Sequence, residues 1–465
     1  MTIKQFSKSF LAAFTGAAFL VGCGEDEPAV HPKDSDSQAF VSQYKAHSYH
    51  PVLIKNATIL TATGEQIENG SVLLADGEIV EVGTDIDEPS DDNLEVIDAK
   101  GKWVTPGIID VHSHLGVYPA PGVESSADGN EMTAPVTADV WAEHSVWPQD
   151  PQFQLALAGG VTSMQILPGS ANLVGGRGVT LKNVGGRSVM DMKFPGAPYG
   201  LKMACGENPK RVYGGKGQAP MTRMGNVAGY RKSWIDAKEY MESWDEYEAG
   251  MGNGKPPKRD LRLESLAGVL RGEILIQNHC YRADEMMVMM EIAKEFDFKV
   301  TTFHHAVESY KIADKLAENG VCSAMWSDWW GFKQEAYDMV PSNVALVDKA
   351  GACAVVHSDS ATVIQHLNKE AAKAMASGNR LGMDITPAHA IKWITINAAK
   401  AIGVDEQTGS LEEGKMADIV LWDGNPFSVY TKAEKVFIDG ALMYDRNNQF
   451  KQPVSDFGLT NMNQQ

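Results

Sequence analysis

The sequence predicts an α/β fold: a (β/α)8 barrel of the TIM type joined to a composite β-sandwich built from both chain ends. Within residues 106–404, eight short apolar runs alternate with stretches of helical periodicity. At 51–105 and 405–450, apolar and polar residues alternate with a period of two, which is typical of antiparallel strands. Because each end is too short to form its own core, the two are expected to pair.

The eight apolar runs give the order of the barrel strands. They are Ile108–His112, Val161–Leu167, Val179–Val184, Leu201–Cys205, Ile274–His279, Lys299–His304, Val321–Trp326 and Ala352–Ser358. Helices are predicted at Ala283–Glu295, Tyr310–Asn319 and Pro387–Ala401, and a helical insertion at about 228–260. An open doubly wound sheet is the alternative, but no Gly-rich dinucleotide fingerprint opens a βα unit.

The composition is that of a globular protein. Of 465 residues, 43% are hydrophobic and 22% are charged. The net charge of −19 excludes a basic footprint for nucleic acid. A homo-oligomer is compatible with the sequence, and the partner expected from the resemblance described below is a small-molecule substrate.

The first 22 residues are predicted to be a signal peptide, because Lys4 and Lys8 precede a short apolar run. The run ends in Leu20–Cys23, which resembles a bacterial lipobox whose cysteine becomes acylated. Lipidation of Cys23 would anchor the chain in a lipid bilayer, and residues 23–50 would form a flexible tether. Gly24 indicates a cell-envelope lipoprotein at the outer membrane or facing the periplasm of a diderm bacterium.

The remaining cysteines each lie in or beside an apolar, strand-like segment. They are Cys205, Cys280, Cys322 and Cys353. This setting predicts four buried hydrophobic residues rather than a disulfide framework.

Ionisable side chains recur where the predicted barrel strands end. His112 and His114 lie two apart on the first strand, so both imidazoles point to the same side. The other strand ends present Lys202 with Glu207 beyond it, His279, His304 with His305, and Asp359. Active sites of such barrels lie at the carboxyl ends of their strands, and buried imidazoles and carboxylates that need partners are best explained by metal binding.

The chain resembles the amidohydrolase superfamily, in its imidazolonepropionase-like branch, over about residues 50–450. The motifs that carry the resemblance are Pro106–His114, Gly159–Ser163, Asn278–Asp284, His357–Asp359, Thr395–Gly403 and Gly409–Ile419. The resemblance implies that His112 and His114 hold the more buried metal, and that His279 and a sixth-strand histidine hold a second. His305 fits the family pattern better than His304, while strand parity leaves both open. Asp359 would contact metal and transfer protons.

The resemblance leaves the bridging ligand and the metal open. Some members use a carboxylated lysine, for which Lys202 is the candidate, and others use a glutamate. Glu207 is preferred because an unmodified lysine is a cation that cannot ligate. One or two divalent ions are expected; zinc is favoured, although these ligands also suit iron and manganese.

The function expected from the resemblance is metal-dependent hydrolysis of a C–N bond in an amide, a dipeptide-like bond or a cyclic amide. Metal-activated hydroxide would attack the substrate, with Asp359 as the proton shuttle. One alternative is deamination of a cyclic imine or heterocycle; another is a surface-anchored binding protein on an inactive hydrolase scaffold. The candidates for substrate contact are Arg177, Arg211, Tyr310 and Trp329.

Overall fold

The computed structural model describes residues 39–251 and 254–452. The predicted signal peptide and Cys23 lie outside these residues. Within the described part of the chain, no helix is long and apolar enough to cross a bilayer.

Sixteen strands and ten α-helices are formed by the described residues. The strands are β1 (Val52–Leu60), β2 (Gln66–Ala75), β3 (Glu78–Gly83), β4 (Glu95–Asp98), β5 (Trp103–Pro106), β6 (Ile108–Ser113), β7 (Val161–Ile166), β8 (Val174–Lys182), β9 (Gly200–Ala204), β10 (Leu275–Cys280), β11 (Val300–His305), β12 (Cys322–Met325), β13 (Cys353–Val356), β14 (Ile419–Trp422), β15 (Ala433–Ile438) and β16 (Ala441–Asp445). The helices are α1 (Pro151–Ala158), α2 (Glu207–Gly214), α3 (Arg223–Glu248), α4 (Leu261–Leu270), α5 (Ala283–Phe296), α6 (Ala313–Asn319), α7 (Asn343–Lys349), α8 (Leu367–Arg380), α9 (Pro387–Ala390) and α10 (Ile396–Ile402).

The strands β6 to β13 pair in sequence order into an eight-stranded sheet, which is consistent with the predicted barrel. One strand departs from the all-parallel pattern. β8 runs antiparallel to both β7 and β9, because residues 167–173 join β7 to β8 without a crossover helix. β8 also begins at Val174, five residues before the predicted third strand. The expectation of eight parallel strand–helix units is therefore wrong at this position.

Side-chain hydrogen bonds join the two outer strands of this sheet, β6 and β13. Asp110, buried in β6, accepts hydrogen bonds from the amide of Ser358 at 3.1 Å and from its hydroxyl. The amide of Asp359 donates to the carbonyl of His112 at 3.0 Å. These contacts bring the end of β13 beside the His-x-His segment.

The entry into β6 depends on a glycine. A Cβ at Gly107 would overlap the side chain of Thr162 in β7. Only glycine therefore lets the backbones of β6 and β7 approach this closely.

The two chain ends pair into one sheet, as predicted. β14 from the carboxyl-terminal end lies antiparallel to β5 from the amino-terminal end, with Ile419 opposite Pro106. Their shared apolar core contains Ile54 and Val72 from one end and Phe437 from the other. The strands form a single hydrogen-bonded sheet of eight, and its division into two sandwich layers stays a prediction.

A buried ion cluster joins this sheet to the barrel. Nζ of Lys182, at the end of β8, lies 2.5 Å from Oδ1 of Asp439 and 3.3 Å from Oδ1 of Asp418. Thr408 donates to Asp418 at 3.1 Å, and the hydroxyl of Tyr44 donates to Asp439. The single buried cation therefore balances two carboxylates whose remaining oxygens also have donors.

The described part of the predicted tether lies against the folded core. Nζ of Lys193 donates to the carbonyl of Phe40 at 2.7 Å, and the hydroxyl of Ser42 donates to the carbonyl of Lys193 at 2.7 Å. Together with Tyr44, these contacts give the polar segment partners within the protein. The prediction of a flexible tether that extends to residue 50 is therefore wrong for this segment.

The prediction that the four cysteines are unpaired is wrong. Cys205 is bonded to Cys280 and Cys322 to Cys353, with Cα–Cα distances of 5.2 and 4.4 Å. Cys322 and Cys353 face each other in the register of β12 and β13, while Cys205 follows β9 beside the end of β10. Each cysteine lies in or beside an apolar strand, as expected, and all but Cys353 are buried, but pairing depends on register between strands.

Two helical predictions are met in part. Thr386 caps α9 by accepting from the amide of His389, and Gly403 ends α10 in a left-handed conformation. The single predicted helix is nevertheless interrupted at Thr395, whose hydroxyl donates to the carbonyl of Ile391 at 2.7 Å. The helical insertion contains α3, with Trp234 and Trp244 buried along one face.

Replacing Lys182 by methionine should lower the free energy of unfolding by about 3–5 kcal/mol, because Asp418 and Asp439 would remain buried without their cation. Denaturant unfolding of the purified protein measures this. Lys294→Met, which removes an exposed ammonium paired with Glu291, should change stability by less than about 0.5 kcal/mol. Equal effects of the two substitutions would contradict a structural role for the ion cluster.

Candidate metal centre

A cluster of ionisable side chains lies where the barrel strands end at their carboxyl side. It consists of His112 and His114 from β6 and the residue after it, Lys202 from β9, His279 from β10, His304 and His305 from β11, and His357 and Asp359 after β13. Apart from His114 and Asp359, all of these residues are buried. The structure thus brings together side chains from five strand ends, including every predicted ligand except Glu207.

Asp359 lies at the centre of the cluster. Its Oδ1 is 3.1 Å from Nε2 of His114 and 3.6 Å from Nε2 of His112, and its Oδ2 is 3.9 Å from Nδ1 of His305. Its backbone adopts a left-handed conformation with φ of 50°, which aspartate tolerates better than most residues. The turn after β13 therefore directs this carboxylate back across the barrel.

A chain of hydrogen bonds sets the tautomer of His112. Nε2 of Gln277 donates to the carbonyl of Ala401 at 2.9 Å, so its Oε1 accepts from Nε2–H of His304 at 2.7 Å. Nδ1 of neutral His304 then accepts, at 3.0 Å, from Nδ1–H of His112. The lone pair of His112 is left on Nε2, the atom that faces Asp359.

His114 presents the same nitrogen. Its Nδ1 donates to the carbonyl of Leu167 at 2.8 Å, which leaves the lone pair on Nε2. Two strand-end imidazoles therefore direct acceptor nitrogens toward one carboxylate, an arrangement suited to a divalent cation.

The two histidines that end β11 have different surroundings. Both nitrogens of His304 are engaged, one with His112 and one with Gln277. Nδ1 of His305 lies 3.1 Å from Nε2 of His357, and its Nε2 makes no hydrogen bond within the described residues. Ligand atoms within 4.8 Å of one another occur in the sets His112–His305–Asp359 and His112–His304–His357. The hydrogen bonds favour His305 as the ligand.

The donor set fits a metal ion. Nδ1 of His279 and Nδ1 of His357 are buried and have no hydrogen-bond partner among the described residues. Unsatisfied buried polar atoms are unfavourable unless a ligand, an ion or a water completes them. The clustered imidazoles and the carboxylate are the donor types that zinc and other transition metals take.

The charge state of the cluster also suits metal binding. Burial lowers the pKa of His112, His279, His304 and His305 well below the usual value, and that of His357 to about 4. Burial opposes ionisation of Asp359, but the neighbouring His114, His357 and Lys202 outweigh it and lower its pKa. Neutral imidazoles therefore surround an ionised carboxylate near neutral pH.

The structure places Lys202, rather than Glu207, at the histidines. Nζ of Lys202 lies 3.1 Å from Nε2 of His112 and donates to the carbonyl of Pro168 at 2.9 Å. Burial lowers the pKa of Lys202 to about 7. Oε1 of Glu207, at the start of α2, instead lies 3.6 Å from Nζ of Lys333. The preference for Glu207 as the bridging ligand is not supported, because the glycine turn before α2 leads its side chain toward Lys333.

Aromatic side chains cover one side of the cluster. The ring of Trp326 stacks on His305 with centroids 4.3 Å apart, and Trp329 stacks on Trp326 at 4.7 Å. Tyr281 stacks on His305 from the neighbouring strand end at 5.1 Å. Trp329 is partly exposed beside the cluster, and its contact with substrate stays a prediction.

The other predicted substrate contacts lie elsewhere or at the rim. The guanidinium of Arg177 lies 3.9 Å over the ring of Trp141, and its Nε donates to Ser265 of α4 at 2.9 Å, outside the barrel. Arg177 lies within β8, which begins before the predicted third strand. The hydroxyl of Tyr310 donates to the carbonyl of Asp338 at 3.1 Å. Arg211 is exposed on α2.

Sequence reasoning missed two residues that position the site. Asp110 lies two residues before His112, so strand parity places the three side chains of Asp110, His112 and His114 on one side. Burial raises the pKa of Asp110 to about 7. Gln277 lies two residues before His279 in the same way. A search for polar residues two positions before each strand-end histidine could have identified both Asp110 and Gln277.

Comparisons with known proteins agree with this geometry. A model described as the amidohydrolase family matches residues 306–446. A solved amidohydrolase from Thermotoga maritima MSB8 is 36% identical, with a TM-score of 0.76, and the match covers 85% of this chain and all of that one.

Two sequence relatives carry names. Amidohydrolase tasK of Hapsidospora irregularis is 33% identical over 371 residues, which is 75% of this chain but only 37% of that protein. A 5′-deoxyadenosine deaminase of Methanobrevibacter smithii is 24% identical over 421 residues, covering 80% and 84% of the two chains. Bacterial proteins named imidazolonepropionase also match at 21–23% identity. The comparisons favour an enzyme over a binding protein on an inactive scaffold.

Replacing Gln277 by leucine should weaken zinc binding about 10- to 100-fold. Without Gln277, His304 would no longer hold the proton of His112 on Nδ1, and the lone pair of His112 would not be kept on Nε2. Zinc affinity measured by competition with a chelator tests this. Gln165→Leu is the matched control: Gln165 is a buried barrel glutamine bonded to Thr180 rather than to a histidine. A similar loss in both variants would show that general disruption of the barrel, not the tautomer, is responsible.

Proposed function

Since the chain belongs to the amidohydrolase family and is an enzyme acting on carbon–nitrogen bonds, we propose that it hydrolyses an amide, a dipeptide-like bond or a cyclic amide. The observation that carries this proposal is the convergence of His112, His114 and Asp359. Nε2 of His114 lies 3.1 Å and Nε2 of His112 lies 3.6 Å from Oδ1 of Asp359. Two acceptor nitrogens beside an ionised carboxylate offer a metal site and a proton acceptor in one place.

The proposed cofactor is one or two divalent ions, with zinc favoured. His112, His114 and Asp359 would hold the first ion, because their ligand atoms converge. His279 and His305 would hold a second, and Lys202, if its amine adds carbon dioxide and loses a proton to form a carbamate, would supply the ligand oxygens that the amine lacks. Without that conversion, the centre would hold a single ion and His305 would only support it.

Asp359 is the proposed proton shuttle. When bound, a divalent ion would lower the pKa of a water molecule and polarise the scissile carbonyl. Asp359 then accepts the proton of the attacking water and donates it to the leaving nitrogen, so that a carboxylic acid and a neutral amine are formed. His114, His357 and Lys202 around Asp359 keep its pKa below the usual value, so its carboxylate is ionised before the reaction.

Asp359→Asn should lower kcat/KM at least about 100-fold, because an amide cannot accept the water proton. The histidines should still hold metal in this variant, although less tightly, because Asp359 is also a proposed ligand; its rate is therefore measured with metal loaded. Rates on a panel of amides, dipeptides and cyclic amides, with metal analysis of both proteins, measure this. Asp328→Asn, which alters an exposed carboxylate paired with Lys373, is the control and should keep full activity.

The same panel distinguishes hydrolysis from deamination, the alternative that the similarity to 5′-deoxyadenosine deaminase supports. Release of ammonia from heterocycles without cleavage of any amide would replace the proposed function by deamination. Purified wild-type protein that retains no more than trace metal would contradict both.

We also propose that the protein works in the bacterial cell envelope, anchored by acylated Cys23. The pairs Cys205–Cys280 and Cys322–Cys353 support an oxidising compartment, because disulfides are rare in the cytosol. Cys23→Ser should move the protein from the membrane fraction to the soluble fraction. Wild-type protein found only in the soluble fraction would contradict the anchor.

A further inference from the structure

We propose that Lys333 binds a carboxylate of the substrate and thereby selects N-acyl amino acids or dipeptides with a free carboxyl terminus and an apolar side chain. This inference rests on the proposed function, since it names the substrate class of the same site. Lys333 lies on the loop between β12 and α7, at the end of the barrel where the histidines cluster.

Lys333 is a cation separated from the histidine cluster by a single aromatic ring. Its Nζ lies 3.8 Å from the ring centroid of Tyr281. The same ring lies 4.9 Å from the ring of His279 and 5.1 Å from that of His305. A carboxylate held by Lys333 would thus be close enough to belong to the molecule whose amide bond is cleaved.

The ammonium of Lys333 has no close oxygen partner. Oδ1 of Asn208 lies at 3.4 Å, Oε1 of Glu207 at 3.6 Å and Oε2 of Glu335 at 3.9 Å. Direct ammonium–carboxylate bonds are about 2.7–2.9 Å long. The nearest oxygens are therefore too far for strong bonds, although the side chain is only 17% exposed. A substrate carboxylate would supply the missing close contact.

Glu335, the next carboxylate to Lys333 after Glu207, is bonded elsewhere through Oε1 only, and its buried Oε2 has no hydrogen-bond partner among the described residues. Oε1 of Glu335 accepts from the amide of Glu207 at 2.8 Å and from the guanidinium of Arg223. Arg223 also pairs with Glu285 at 2.9 Å. Glu207 and Glu335 both compete for Lys333, but the side chain of Glu207 is 30% exposed against 3% for Glu335, so an incoming carboxylate can displace Glu207 into solvent.

An apolar surface adjoins the cation. Phe332, the residue before Lys333, is 54% exposed, and its ring centroid lies 5.6 Å from that of Trp326 and 6.1 Å from that of Trp329. Trp326 in turn stacks on His305. Aromatic faces beside an ammonium suit a molecule that carries an apolar side chain next to a carboxylate. An amino acid joined through its nitrogen to an acyl group has this arrangement.

The test compares two ligands that differ only in the carboxylate, N-acetyl-L-leucine and N-acetyl-L-leucinamide. Calorimetric binding is measured on the zinc-loaded Asp359→Asn protein, so that turnover does not interfere, after its metal content has been checked. The acid should bind at least about 10-fold more tightly than the amide, because a hydrogen bond to a charged group gains more than one to a neutral group. Adding Lys333→Met should reduce this preference to about twofold or less.

Three further variants separate the effect of charge from that of structure. Lys333→Arg should keep the preference for the acid, since it retains the cation, and Glu207→Gln should increase it, because the competing carboxylate is gone. Lys311→Met, which removes a cation bonded to Asp338, should leave the preference unchanged. If Glu207 were instead a metal ligand, Glu207→Gln would lower the zinc content.

Equal binding of acid and amide, no detectable binding of the acid, or a preference that survives Lys333→Met would overturn the assignment of Lys333. Those results, obtained with zinc bound and amide hydrolysis intact in the parent enzyme, leave the proposed function standing. Loss of zinc or of all amide hydrolysis in the wild type would instead contradict the proposed function itself.

Discussion

The constraint on which the site depends is the burial of imidazoles at one end of a barrel. Charged imidazoles there would be desolvated and would repel each other, so the rings are neutral and each has one donor and one acceptor nitrogen. A hydrogen-bond partner must then determine which nitrogen of each ring carries the proton. His304 serves this purpose for His112, and the carbonyl of Leu167 serves it for His114. The acceptor nitrogens that remain converge on Asp359.

The same convergence depends on how the barrel closes. β6 and β13 are held together by the side chain of Asp110 and by the backbone bond from Asp359 to His112. Asp110, His112 and His114 are spaced two apart, so their side chains point to the same side of β6. The residue that joins β6 to β13 and the histidines of the site are therefore positioned by the same strand. Closure therefore places the carboxylate of Asp359 opposite the imidazoles without requiring a long loop.

Features carried by one segment could be predicted from the sequence, and features that depend on two segments could not. The positions of the strands, the pairing of His112 with His114, and Asp359 after the last strand follow from local pattern. The direction of β8 depends on which neighbour it joins. Arg177 was expected to contact substrate but lies inside β8, which begins earlier than the sequence predicted. Cys322 and Cys353 meet through register. The choice of Lys202 over Glu207 depends on the turn at Gly206, which directs the start of α2.

The division between strands and loops separates the chemistry from the choice of substrate. His112, Lys202 and His279 lie on strands that are fixed by pairing and packing, and Cys205–Cys280 joins the ends of two of those strands. Trp329 and Lys333 lie on the loop after β12, where sequence can change without disturbing the barrel. Relatives named as an amidohydrolase and as a deaminase can therefore share the scaffold of this chain while acting on different molecules. Because barrel function is set by such loops, the substrate of this enzyme is encoded less in its histidines than in the aromatic, lysine-bearing loop beside them.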